Sequence, residues 1–169
     1  MMDWVNPSLV LMDGFVLSLL VGTIVLVFFN WKPRICLSDL PEDIQAMAPP
    51  LDASEARWKL AFGLMIVSVL LVAIVISTMR FGTERGFLLA VLHAYLLFQI
   101  FNLVDFAVID VGFMLMIDPA NPPIEGTENA AGYRNVRFHF LKSVKGIVLG
   151  IPFALIAAGL AWLITAVVQ

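Results

Sequence analysis

Residues 86–117 read GFLLAVLHAYLLFQIFNLVDFAVIDVGFMLMI, an apolar run that nevertheless carries His93, Gln99, Asn102, Asp105 and Asp110. An ionisable group in a lipid-spanning helix costs at least a few kcal/mol unless it is paired or wet, so these side chains must face protein or water. At ~1.5 Å per residue the run reaches ~48 Å, more than a hydrocarbon core of ~30 Å requires. Either the helix tilts strongly, or its last two turns leave the lipid and pack against the following loop. Pro119 ends it.

The rest of the chain fits a lipid solvent. Of its 169 residues, 61% are hydrophobic and only 14% charged, and the mean hydropathy is +0.96. A soluble domain of this size hides roughly two thirds of its surface, too little for so apolar a composition. Three further spans are expected at about residues 8–29, 60–79 and 137–168, giving an all-α, integral membrane four-helix bundle with a long third helix. Trp4 and Trp31 bracket the first span, and Trp58 with Arg57 and Lys59 marks the start of the second. The acidic start lacks the basic region of a signal peptide, so the first span is read as retained.

Between spans one and two, PEDIQAM suggests a short surface helix with Pro41 in its first turn, and Asp52 with Glu55 forms a capping-box pattern. The connection of residues 80–85 is short and makes spans two and three antiparallel neighbours. Residues 118–135, rich in Pro and Gly, form a long loop of the functional or covering kind. Near the helix ends, Lys32, Arg34, Arg57, Lys59, Arg134, Arg137, Lys142 and Lys145 oppose only Arg80 and Arg85. That bias puts both long loops in the cytoplasm and both termini outside.

Two ladders of small residues recur every four positions: Gly14, Ser18 and Gly22 in span one, and Gly146, Gly150, Ala154 and Ala158 in span four. Such grooves let another helix approach closely, within the bundle in the simpler case and between copies in the sharper one. Pro152 should kink the fourth span.

Tyr95, Gln99 and Asn102 fall within about 60° of one another on the third helix, with Asp105 and Asp110 flanking. They suit either the lining of a proton, ion or polar-ligand path, with Asp105 exchanging the proton, or hydrogen bonds that hold helices together. Asp13 and His93 sit at similar depth and suggest a carboxylate–imidazole pair near the outer face. At the opposite mouth stand Glu125, Glu128, Arg137, His139, Lys142 and Lys145, with Lys142 or Lys145 placed to pair with Asp110 or with an anionic headgroup.

His93 and His139 are the only histidines and lie most of a bilayer apart, which excludes one bis-histidine haem. A metal at His139 with Glu125, Glu128 or Asp110 has no supporting motif spacing, so the metal question stays open and no cofactor is expected. The lone Cys36 excludes an intrachain disulfide and a CxxC site. There is no GxSxG, Cys-His pair or phosphate loop, and a net charge of −3 gives no reason for nucleic-acid binding.

Several stretches, NWKPRICLSDLPEDIQ with PPLDASEARW, NLVDFAVID, and EGTENAAGYRNVRFHFLKSVKG, resemble a family of small bacterial membrane proteins with four predicted helices and no assigned activity. The resemblance implies a bacterial inner-membrane location. The leading functional expectation is a non-enzymatic, oligomeric transport or accessory component, working in the lipid bilayer with copies of itself or partner membrane subunits. The alternatives are a membrane-embedded enzyme or cofactor protein acting at the cytoplasmic mouth, and a structural subunit of a larger complex.

Overall fold

In the computed structural model, which describes residues 6–168, four helices are long and apolar enough to cross a membrane. The first, α1 (Pro7–Trp31), is opened by Asn6, whose side chain accepts the Leu9 N–H at 3.1 Å. Trp4 lies outside the described residues. A 3₁₀ segment (Pro33–Asp39) and the short helix α2 (Glu42–Met47) follow. The capping box then starts α3 (Ala53–Phe81): Asp52 accepts from Ser54 N and Glu55 N at 2.7 and 2.8 Å, and Glu55 accepts from Asp52 N at 2.9 Å. These donors hold the Asp52 carboxyl below its ordinary range. The helix thus begins two turns before the apolar span.

A tight connection over Thr83–Arg85 turns the chain into α4 (Phe87–Met116). Gly82 and Gly86 flank it at φ 102° and 117°, a region where a side chain is strained. The last helix, α5 (Val136–Val168), continues as one helix through Pro152. All described regular structure is helical, and the bundle is an all-α four-helix membrane fold. Leu19, Leu88, Leu149 and Val167 are all more than 60% exposed, so the apolar surface points outward as a lipid solvent demands.

α4 is the centre. It packs against α1, α3 and α5, and both small-residue ladders face inward onto it or its neighbours. A Cβ at Gly14 would collide with Ile100, and one at Gly146 or Gly150 would overlap the Asn102 or Gln99 amide. Ala154 and Ala158 are fully buried, and Ser18 folds back onto Gly14 O at 2.7 Å. The ladders therefore pack helices within the bundle, the simpler of the two expectations. In the half towards the α3–α4 turn, the interior is filled by Leu17, Val21, Leu70, Ile74, Ala94 and Leu97.

The other end carries a second core. There Met114 of α4 and Ile117 just beyond its end are buried with Phe29, Ile35, Ile44, Ile124 and Tyr133, so the end of α4 packs into the loops, as its excess length allows. The two loops interlock where Asp43 accepts the Gly132 N–H at 2.7 Å, and within the second loop Thr127 meets the Tyr133 hydroxyl at 2.8 Å. Arg34 clamps Glu55 through two bonds of 2.7 and 3.1 Å and also donates to Pro49 O and Pro50 O. Arg134 donates to Met114 O and Leu115 O, carbonyls at the end of α4. Trp31 and Trp58 meet edge to face at 5.3 Å with Lys32 above both rings, a cationic and aromatic rim.

Gly146→Leu should destabilise the bundle by about 1–3 kcal/mol or more through overpacking against Asn102. Gly159→Leu, at a glycine with open space around it, should be close to neutral. Unfolding midpoints of the two purified variants check this, and equal midpoints would show that α4 and α5 do not meet at Gly146.

Candidate functional site

The polar stripe of α4 divides into two sets. Tyr95 Oη and Gln99 Nε2 donate to Ile147 O at 3.3 and 3.5 Å, and Asn102 Nδ2 donates to Ser143 O at 3.1 Å. These three side chains bind α5 to α4 through backbone carbonyls, which glycines at 146 and 150 leave approachable. They do not line the cavity at the loop end. Asp105 and Asp110 turn elsewhere.

The division has a conformational cause. α4 is α-helical over Phe87–Val104 but π-helical over Asp105–Phe113, closing with Met114 N–H bonded to Ile109 O. In α winding, residues five apart differ by roughly 140° around the axis. In a turn closed by i→i+5 bonds they come back to nearly one face. Asp105 and Asp110 therefore share a wall. Such wide turns are rare and frequent at functional sites.

Both carboxylates line a cavity of about 380 Å³ at the loop end, bounded by α1, the 3₁₀ segment, α3, the π turn and the start of α5. Its polar groups are Asp39, Asp105, Asp110, His139 and Lys142, with Lys59 at the rim and Phe29, Phe62, Phe101 and Phe113 among its apolar walls. Lys142 Nζ stands 3.7 Å from Asp39 and 3.8 Å from Asp110, ion-pair distances too long for direct hydrogen bonds. His139 Nδ1 lies 3.1 Å from Asp110 Oδ1. That contact is not aligned as a hydrogen bond, and both imidazole nitrogens, in a residue 2% exposed, have no hydrogen-bond partner. Asp105 has no hydrogen bond or ion pair among the described residues. Cys36 also lines the cavity, and its thiol is pushed up to about 11, by burial first and then by the neighbouring Asp39.

The remaining expected residues lie apart. Glu125, Glu128, Arg137 and Lys145 are exposed and line no part of the cavity. Glu128 instead accepts backbone N–H bonds within the loop, its own first and then that of Gly126 at 3.0 Å, which hold its carboxyl below the usual range. The expected Asp13–His93 pair is corrected. Asp13 accepts two bonds from Arg80, at 3.0 and 3.1 Å, because the guanidinium at the end of α3 answers its charge directly. His93 instead meets Ser77 Oγ at 2.9 Å and stacks on Phe81 at 4.6 Å.

Asp39 and Cys36 were not anticipated as site residues. They come from a loop, and no periodicity marks a loop side chain as facing a cavity. No group of three or more His, Cys, Asp or Glu side chains suited to a metal ion occurs among the described residues. Comparison with protein-family models, curated proteins and solved structures finds no match for this chain.

Two outcomes test this geometry. At pH 8 the neutral Cys36 thiol should react slowly with iodoacetamide in the folded protein and readily after unfolding, because only the thiolate is nucleophilic. Labelling at equal rates in both states would contradict its burial. His139→Phe should leave the unfolding midpoint unchanged or raise it, since it removes two buried unsatisfied nitrogens. A loss of ~2 kcal/mol would instead mark His139 as a structural residue.

Proposed function

We propose that the protein is a non-enzymatic component of a membrane, acting in transport or as an accessory subunit, and that its working site is the loop-end cavity. The observation that carries this reading is the meeting, in one cavity, of Asp105 and Asp110 from a π turn of a membrane-type helix with an unsatisfied His139. Leaving such groups unpaired costs folding free energy, a cost typical of binding sites. A pocket of a few hundred Å³ with mostly apolar walls and a few convergent polar groups is the usual form of a small-molecule site. The filled interior of the opposite half favours a pocket that holds a small polar ligand or proton over a path running through one copy.

The excess of Lys and Arg beside the two long loops supports a cytoplasmic position for the cavity, with both termini outside. The resemblance to small bacterial four-helix proteins supports an inner membrane. Because the two small-residue ladders are used inside the bundle, a homo-oligomer or a partner subunit would use the outward apolar faces.

Asp105→Asn should remove a bound small molecule while leaving the fold intact, because Asp105 makes no hydrogen bond that holds the helices together. Native mass spectrometry of the gently extracted chain should find one co-purifying small molecule per wild-type chain and none on the variant, at matching unfolding midpoints. Equal ligand loads on both, or a bare wild-type chain, would count against the cavity as the working site.

A further inference from the structure

We infer that the cavity receives a protonated primary amine carried on an apolar body; this rests on the reading of the cavity as the working site. Three carboxylates, Asp39, Asp105 and Asp110, converge on it, and Lys142 already lies between two of them. Asp105 forms no ion pair of its own, and Lys142 acts on its charge only from beyond ion-pair distance. An ionised carboxylate only accepts hydrogen bonds, and a neutral imidazole has one nitrogen that accepts. An ammonium group with three N–H donors answers Asp105 and His139 together. An anionic head would face the carboxylates at close range, and a neutral head would leave Asp105 uncompensated.

The walls argue for the apolar body. Phe29, Phe62, Phe101 and Phe113 surround the polar floor, and aromatic faces accept both alkyl chains and cations. The rim includes the exposed Gly63 and Val67 of α3. Gly63 has open space around it, so the wall there has no side chain closing it. That rim belongs to a helix with an apolar outer surface, which lets an amphiphile enter sideways from lipid. The amine then comes either from an aminophospholipid of the bilayer or from a free hydrophobic amine.

The test uses the full chain in phosphatidylcholine nanodiscs, whose headgroup nitrogen carries no N–H, titrated at pH 7 with octylamine or octanol while thermal unfolding is followed. Octylamine at roughly one hundred times its dissociation constant should raise the midpoint by roughly 5 °C, and octanol should not. Asp105→Asn should abolish the octylamine shift, Gly63→Phe should abolish it by covering the rim, and the exposed Glu125→Gln should keep it. Replacing phosphatidylcholine by phosphatidylethanolamine separates the sources. A raised starting midpoint with no further octylamine shift identifies the lipid, and a retained shift identifies a free amine.

Equal shifts from octylamine and octanol that survive Asp105→Asn but vanish in Gly63→Phe would overturn the ammonium class and keep the cavity as a site. No shift from either probe in wild type, with phosphatidylethanolamine also without effect, would overturn both.

Discussion

The polar groups on α4 have to be answered by protein wherever this helix packs against α1, α3 and α5, because most of its surroundings are apolar. An unanswered amide or carboxylate there costs several kcal/mol. The rest of the bundle follows from how that demand is met. Tyr95, Gln99 and Asn102 find the second lone pairs of helix carbonyls on α5. They reach them because Gly146 and Gly150 bring the backbone of α5 within range. The small-residue ladder and the polar stripe are two halves of one contact.

Where α4 meets the loops, the same demand is met least completely, although His93 Nδ1 in the filled half also has no partner. Two packing systems join there. Below lies a bundle core of Leu, Ile and Ala; above lies a cap core built from both loops and the last turns of α4. Between them α4 widens into a π turn and a cavity remains, with a histidine whose ring nitrogens are unsatisfied and a carboxylate without a partner. The cap itself is well satisfied: its buried tyrosine, threonine and interlocking backbone groups have their bonds. The contrast separates a structural polar network from a site held open at a cost in stability.

Much of the architecture was legible in the chain itself. Helix number, their approximate limits, the capping box at Asp52 and Glu55, the surface helix around Ile44 and the tight α3–α4 turn all follow from local chemistry, and local chemistry is written in consecutive residues. Half of the site was legible too, since charged residues in an apolar helix announce themselves. Asp105, Asp110, His139 and Lys142 stand in the cavity. Glu125, Glu128, Arg137 and Lys145 do not, because charge alone gives no direction to a side chain in a loop or on a helix end. Asp13 pairs with Arg80 rather than His93: one guanidinium nitrogen reaches both carboxylate oxygens, while His93 Nε2 meets Ser77.

Composition and periodicity by themselves determined that this chain is an all-α membrane bundle whose third helix carries the polar groups. Those properties depend on transfer free energy, which adds up residue by residue. Only the tertiary structure decided which of those groups are mortar and which form a site. The α-helical period places Asp105 and Asp110 on different faces, and nothing in the local residues marks the π winding that brings them together. Whether a helix widens in this way depends on what packs against it, and here α1 and α5 pack against that turn while the first loop and α3 line the cavity beside it.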